Sequence, residues 1–143
     1  MKNILVSLDF DNTEQVLLDK AFELAQAFQS KIWLLHIADP EPDFVGYGVG
    51  PQYIRDDVAA ELRKEHRLLQ SYAVQLNEKG IVTEALLIQG ATYEMIVAEA
   101  KKLQVDLIIT GHKEHHFLYK VLIGSVSEQV VNKSKIPVLV VPL

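Results

Sequence analysis

Side chains that can do chemistry gather directly after three apolar segments of the chain. The first group, residues 9–13, brings two carboxylates, Asp9 and Asp11. The second, residues 38–40, brings one more carboxylate, and the third, residues 111–125, brings three histidines and ends in a Gly-Ser pair. If the apolar segments are parallel strands of one sheet, these groups meet at its carboxyl edge, where open α/β sheets bind ligands.

Two carboxylates on one loop have the chemistry of a nucleophile and a general acid/base. Residues 8–13, Leu-Asp-Phe-Asp-Asn-Thr, resemble the opening motif of haloacid-dehalogenase-type phosphatases, in which the first aspartate is the nucleophile. That resemblance also implies acidic metal ligands after a later strand, but residues 110–113 are Thr-Gly-His-Lys and Asp106 precedes them. A phosphatase that uses Asp9 and Asp11 is therefore a lesser alternative to aspartates that cap loop amides.

Gly124 and Ser125 stand where a helix is predicted to begin. The free N–H groups and the dipole of a helix N-terminus attract anions, and the hydroxyls of Ser125 and Ser127 would add donors to a phosphate. Ser125 can equally be an ordinary N-cap that follows a turn glycine. The pair alone leaves both interpretations open.

Four histidines also have functional chemistry to consider. His112, His115 and His116 fall in one predicted loop and could bind zinc or nickel, but loop histidines are more often solvated, so we predict no metal site. His36 lies inside an apolar segment, where a buried and hydrogen-bonded histidine is the expected role.

The composition is that of an ordinary globular protein. The chain has 143 residues, a formal charge of −5 and no cysteine, which fits one domain over residues 1–143 and excludes disulfides and thiolate metal sites. The mild acidity without a basic run argues against a nucleic-acid partner. No apolar stretch reaches the roughly 20 residues of a membrane helix, and the N-terminus lacks the features of a secretory signal, so we expect a cytoplasmic protein away from membranes.

Apolar runs alternate with helical periodicities along the chain. This alternation predicts βαβ units and an open parallel α/β sheet with helices on both faces. Thr13 and Thr92 are predicted helix caps, and Phe28 is expected on the buried stripe of the first helix with Leu17 and Leu24. The predicted strands are residues 4–8, 32–37, 82–88, 107–110 and 138–141, and the fourth helix is predicted over residues 125–133.

Essentially the whole chain resembles the universal stress protein family. The nucleotide motif of that family is Gly, two residues, Gly, nine residues, Gly, then Ser or Thr, and Gly111, position 114 and Gly124-Ser125 keep this spacing. Residues 34–37, Leu-Leu-His-Ile, also look like a family segment. The resemblance implies a Rossmann-like (adenine nucleotide alpha hydrolase-like) sheet of five parallel strands in the order 3-2-1-4-5, with the order reversing between strands one and four.

The resemblance also implies a ligand, an adenine nucleotide such as ATP or AMP, with or without Mg²⁺. In the nucleotide-binding branch of the family, an aspartate after strand one approaches the adenosine, the backbone after the histidine of strand two contacts adenine, and the glycines and the Gly-Ser turn surround ribose and phosphates. No catalytic residue is predicted, and any reaction is at most slow ATP hydrolysis. The matching residues are Asp9, Ile37, Gly111, Gly124, Ser125, Val126 and Ser127.

Glu114 departs from the motif, because it stands where the family has its second glycine. A carboxylate there repels a polyanion, although Lys113, Lys120 or a bound Mg²⁺ would offset the charge. Asp11 is a second departure, since small hydroxyl residues are common at that position in the family. A family member that binds no nucleotide and works through protein contacts is therefore the main alternative to a nucleotide-binding protein of stress response or signalling.

Two further expectations concern the surface of the protein. The long connection over residues 38–56 is predicted to be a mobile flap that carries Phe44, Tyr47 and Tyr53 to the nucleotide, or else an unstructured connector. The last apolar strand would expose a sheet edge, which the family covers by pairing it with the same strand of a second subunit. The resemblance thus implies a homodimer, which binds a further protein partner that the sequence does not identify. The predicted interface residues are Val138, Leu139, Val140 and Val141.

Overall fold

The computed structural model describes residues 1–39, 52–113 and 125–143. Strands and helices alternate along these residues, as the sequence predicts. No described helix combines the length and the apolar character that crossing a bilayer requires. The strands are β1 (Asn3–Ser7), β2 (Lys31–Ala38), β3 (Thr83–Gln89), β4 (Leu107–His112) and β5 (Val138–Pro142), and the helices are α1 (Glu14–Phe28), α2 (Gln52–Glu78), α3 (Thr92–Lys102) and α4 (Val126–Lys133).

All five described strands are parallel and lie in the order β3-β2-β1-β4-β5. The predicted α/β class and strand order are therefore confirmed. Strand β1 pairs with β2 on one side and with β4 on the other, so the direction in which the chain adds strands reverses at β1. The carboxyl ends of β1 and β4 consequently flank the crevice in which sheets of this kind bind ligands.

Helices cover both faces of the sheet because the central strands are apolar on both sides. Ile4 of β1 belongs to a cluster with α1 and α2 that includes Leu69. The next residue, Leu5, faces the other way and packs with Ile96 of α3 and Val130 of α4. The side chains of Ile4, Leu5, Leu69, Ile96 and Val130 are all fully buried. Because β1 packs against helices on both faces of the sheet, its carboxyl end has a fixed position.

Two local predictions about the helices are wrong, and a third is confirmed in position but not in its contact. Thr13 is the N-cap residue of α1, but its hydroxyl donates to the Asp11 carboxylate and makes no cap bond. Thr92 is the first residue of α3 and Ala91 is the N-cap. Phe28 is 54% exposed, because it ends α1 just before Gln29, whose left-handed backbone leads the chain away from the helix.

Strand β4 is longer than predicted and ends at His112 instead of Thr110. Gly111 and His112 are therefore strand residues, paired with Val141 and Pro142 of β5. Several residues of the sequence-based hypotheses lie outside the described part of the chain, namely Phe44, Tyr47, Glu114, His115, His116, Lys120 and Gly124, together with the side chain of Tyr53.

Candidate functional site

A cleft of about 120 Å³ opens at the carboxyl ends of β1 and β4. Its walls come from the end of β1 and the loop after it, the end of β4, the first turn of α4 and the residue after β5, segments that are distant in the sequence. Its position is the one that the reversal of the strand order predicts for a ligand. The residues that line it are Ser7, Asp9, Asp11, Thr110, Gly111, His112, Lys113, Ser125, Val126, Ser127 and Leu143.

The loop between β1 and α1 turns sharply around Asn12, whose φ is 70°. Asparagine tolerates this left-handed conformation better than most residues. The turn lets the Asp11 carboxylate accept hydrogen bonds from the backbone N–H of Thr13, at 3.1 Å, and from the Thr13 hydroxyl. The loop therefore holds the Asp11 side chain in a fixed position.

An ion pair between Asp11 and Lys113 crosses the cleft, with Oδ2 and Nζ 3.0 Å apart. Partial burial favours the protonated form of Asp11, but the hydrogen bonds from Thr13 and Lys113 outweigh it and lower the pKa of this carboxyl. Asp11 is therefore firmly ionised, and the pair joins the loop after β1 to the end of β4.

Asp9 is two residues away from Asp11 and its electrostatics are opposite. Desolvation by the surrounding protein raises the pKa of Asp9, and the neighbouring carboxylates of Asp11 and Glu14 add to the rise, while His36 and Lys113 oppose it. The residue nevertheless keeps a solvent-exposed surface. Asp9 is thus a carboxylate that a hydrogen-bond donor or a cation in the cleft would stabilise.

Hydroxyl groups mark the side of the cleft formed by α4. Ser125 is the N-cap of this helix, and its Oγ accepts the N–H of Glu128 at 3.2 Å. The same oxygen lies 3.0 Å from the Oγ of the buried Ser127, which in turn lies 3.2 Å from Nδ1 of His112. The predicted N-cap role of Ser125 is confirmed, and the helix also presents two hydroxyls where an anion would bind.

Gly111 is in close contact with the side chain of Leu143. A Cβ at position 111 would overlap Cδ1 of Leu143 and lie 3.1 Å from its Cγ. The backbone N–H of Leu143 donates to the His112 carbonyl at 2.9 Å. The lack of a side chain at Gly111 therefore lets the residue after β5 pack directly on β4.

The structure brings together most of the residues that the sequence assigned to a nucleotide site. Ile37 is an exception, because it lies on β2, paired with Ile88 of β3, and does not line the cleft. Gly124 lies outside the described residues. The predicted residues found in the cleft are Asp9, Gly111, Ser125, Val126 and Ser127.

Sequence reasoning did not assign Thr110, His112 or Leu143 to the site. The first two could have been found by counting alternate residues from Ile108, which faces α3 and α4, because side chains two apart in a strand share a face. No comparable pattern identifies Leu143, whose position depends on how β5 pairs with β4.

The described residues hold no group of three or more His, Asp or Glu side chains arranged to bind a metal ion. Asp9 and Asp11 are two carboxylates only, and Asp11 is engaged by Lys113 and Thr13. A divalent cation in the cleft would therefore need oxygens from a ligand, as Mg²⁺ commonly takes from phosphates.

The universal stress protein family model matches residues 1–142. The chain belongs to this family. Universal stress protein YxiE of Bacillus subtilis is 29% identical over 143 residues, an alignment that covers 96% of this chain and 97% of YxiE. The name of the family associates its members with stress. The position of a ligand is indicated separately, by the cleft at the ends of β1 and β4.

Solved structures of family members share the fold. The structure of protein MJ0577 of Methanocaldococcus jannaschii superposes with a TM-score of 0.77 at 28% identity, covering 99% of this chain and 96% of that chain. A universal stress protein in complex with cAMP superposes with a TM-score of 0.69 at 21% identity, covering 99% and 96% of the two chains.

Proposed function

We propose that this universal stress protein binds an adenine nucleotide, ATP or AMP, in the cleft between β1 and β4. The observation that carries the proposal is the N-terminus of α4, which opens into the cleft with the hydroxyls of Ser125 and Ser127 and faces the loop that bears Lys113. Free backbone N–H groups, a helix dipole and a lysine together form the usual protein environment of a phosphate. The complex of another family member with cAMP supports an adenine nucleotide as the class of ligand.

Each candidate residue has a distinct role in this proposal. The phosphates lie at the α4 N-terminus, against Ser125, Val126 and Ser127, and Gly124 is included in the site on the family motif alone. Gly111 provides backbone at the end of β4. Asp9 accepts a hydrogen bond from a ribose hydroxyl, and adenine extends beyond the cleft to the end of β2, where the backbone of Ile37 contacts it.

Charge in the cleft sets the strength of binding. Asp9 and Asp11 repel phosphates, whereas Lys113 attracts them but is paired with Asp11 at 3.0 Å. A triphosphate therefore either takes Lys113 from Asp11 or brings Mg²⁺ to screen the two carboxylates. We assign no catalytic residue, so any hydrolysis of ATP is slow.

Equilibrium binding of labelled ATP and AMP to the purified protein tests the proposal. Ser127→Ala removes one donor at the α4 N-terminus and is expected to weaken binding about tenfold, the effect of losing one hydrogen bond to a charged group. Ser71→Ala is the matched control, because Ser71 lies exposed on α2 and its hydroxyl donates to the Leu68 carbonyl of the same helix. Equal affinities of the Ser127→Ala variant and the wild type would contradict the site, and absence of binding at millimolar nucleotide would contradict the function.

A family member that binds no nucleotide and acts through protein contacts is the second candidate. The small cleft favours it, since about 120 Å³ is below the roughly 300–1,000 Å³ of typical small-molecule pockets. The variant Glu114→Gly separates the candidates, because it restores the family motif. Weak binding that this variant strengthens indicates a nucleotide site weakened by Glu114, and no binding in either form favours the interaction protein.

We also propose that the protein acts in stress response or signalling as a homodimer formed along β5. This strand is at the edge of the described sheet and pairs only with β4 there. Its residue Val140 is 37% exposed although it is apolar. An uncovered apolar edge favours pairing with a second chain, so the interface would contain residues 138–141.

A further inference from the structure

His36 contacts both sequence neighbours of Asp9. Its Nδ1 lies 2.7 Å from the carbonyl oxygen of Leu8. Its ring stacks on the ring of Phe10, with centroids 4.2 Å apart and planes 29° from parallel. Asp9 is the single residue between these two contacts, so the position of its backbone depends on the position of His36.

Helix α2 in turn supports His36. Nε2 of His36 faces Oε2 of Glu65 at 3.5 Å. Glu65 lies one helical turn before the fully buried Leu69, and residues four apart share one face of a helix. The packing of Leu69 in the core therefore fixes the face from which Glu65 reaches His36.

The chemistry of each group determines which one donates and which one accepts in these contacts. A carbonyl oxygen can only accept, so Nδ1 of His36 donates its proton to Leu8. Among the described residues Oε2 of Glu65 is buried and has no hydrogen-bond partner, and a buried carboxylate oxygen requires a donor. Nε2 of His36 is the polar group that faces this oxygen, at 3.5 Å.

We propose that Glu65 and His36 are positioning residues that hold Asp9 for the ribose of the bound nucleotide, with neither of them touching the ligand. This rests on the proposed nucleotide-binding function. Glu65 fixes the ring of His36, and the ring fixes the Leu8 carbonyl and the Phe10 side chain on either side of Asp9. Helix α2 thereby influences the position of Asp9, although Glu65 of α2 does not contact Asp9 in this proposal.

A double-mutant cycle with Asp9 tests the proposal through ATP affinity. His36→Leu removes both polar contacts of the ring and is expected to weaken binding about tenfold, the effect of misplacing one hydrogen bond to a charged group. In an Asp9→Asn background the same substitution is expected to change affinity little, because the residue it positions has lost its charge. Equal losses in the two backgrounds would overturn the proposal, since they would indicate a general structural role.

Conservative variants keep the test valid if His36→Leu folds poorly. His36→Asn retains a donor near the place of Nδ1 and is expected to recover most of the affinity through the Leu8 contact. Glu65→Gln is expected to weaken binding less than His36→Leu, and Glu61→Gln, on an exposed position one turn earlier in α2, is its matched control. An unchanged affinity in Glu65→Gln would remove Glu65 from the proposal.

The titration of the Asp9 carboxyl, followed by NMR in the protein without nucleotide, gives a second and independent result. The charge of His36 opposes the elevation of the Asp9 pKa, so His36→Leu is expected to raise that pKa further. If the wild type binds no nucleotide, the proposed function fails, yet this titration still reports on His36. An unchanged titration of Asp9 in both His36 variants would then overturn the positioning role.

Discussion

Asp9 and Asp11 share one loop but have pKa values shifted in opposite directions. The difference follows from their partners, because Asp11 receives hydrogen bonds from Thr13 and Lys113, whereas Asp9 is desolvated and lies among other carboxylates. Two neighbouring carboxyls in such different surroundings have different functions open to them. Asp11 fixes the loop, and Asp9 is left available to a ligand.

Asp9→Asn is expected to stabilise the protein without nucleotide at neutral pH. Because the native pKa of Asp9 is raised, the native state holds a proton that the unfolded chain has released, so stability falls as the pH rises from the ordinary value of about 3.9 through the native pKa. Removing the carboxylate abolishes that loss, so we expect the variant to be more stable than the wild type at pH 7. Urea unfolding at pH 3 and pH 7 checks this, and a gain of the same size at both pH values would contradict it.

Asp11→Asn is expected to affect ligand and fold differently. The variant frees Lys113 and removes one negative charge from the cleft, so ATP should bind several-fold more tightly, with less dependence on Mg²⁺. Its cost in stability should be only about 0.2–1 kcal/mol, as for other partly exposed ion pairs. Titration calorimetry with and without Mg²⁺ measures the affinity for ATP. Asp19→Asn, on the exposed face of α1, is the control, and weaker binding in Asp11→Asn would contradict the expectation.

At the scale of the elements, the start of α4 is the part of the site that the sequence predicted best. Ser125 was identified as an N-cap from its position after a glycine and before a helical segment, which is a local signal. The start of α3 was misassigned by one residue, because Thr92 is a better cap than Ala91 by residue type, yet the chain enters the helix one residue earlier. Contacts such as Asp11 with Lys113 join distant segments, and no local pattern reveals them.

Ser125→Ala is expected to cost about 1 kcal/mol of stability, since it removes the hydroxyl that caps α4 at the N–H of Glu128. Thr92→Ala is the matched control, because Thr92 is the first residue of α3 and the N-cap of that helix is Ala91. We expect that control to change stability by less than about 0.5 kcal/mol. Thermal unfolding of the two variants compares them, and a larger loss in Thr92→Ala would show that the caps are assigned wrongly.

The contact between β4 and the end of β5 gives a further prediction. Gly111→Ala adds a methyl group where the Leu143 side chain lies, and overpacking of this kind typically costs about 1–3 kcal/mol. Leu143→Ala in the same chain should recover most of this loss, because it removes the overlapping atoms. Chemical denaturation of both single variants and the double variant forms the test. Additive losses would mean that the two residues do not compete for the same space.

For the whole molecule, the fold was largely predictable from the sequence. Continuous apolar runs around Ile4 and Ile108 indicated strands buried on two faces, and the helices between them required parallel pairing. The order of the strands came from the family resemblance, since nothing in a single run specifies its neighbour. The cleft was predictable in its location but not in its contacts, because the contacts of His36 with Glu65 and of Gly111 with Leu143 depend on how distant elements pack.

The edge strand β5 carries the prediction that concerns assembly. If two chains pair along β5, Val140→Lys places a charge in the interface and should weaken the dimer about a hundredfold or more, because a buried unpaired charge costs several kcal/mol. Val16→Lys is the control, since Val16 is 49% exposed on α1 and away from that edge. Sedimentation at micromolar concentration is expected to give a dimer for the wild type and Val16→Lys, and a monomer for Val140→Lys. A monomeric wild type, or a dimer that Val140→Lys leaves intact, would exclude β5 as the interface.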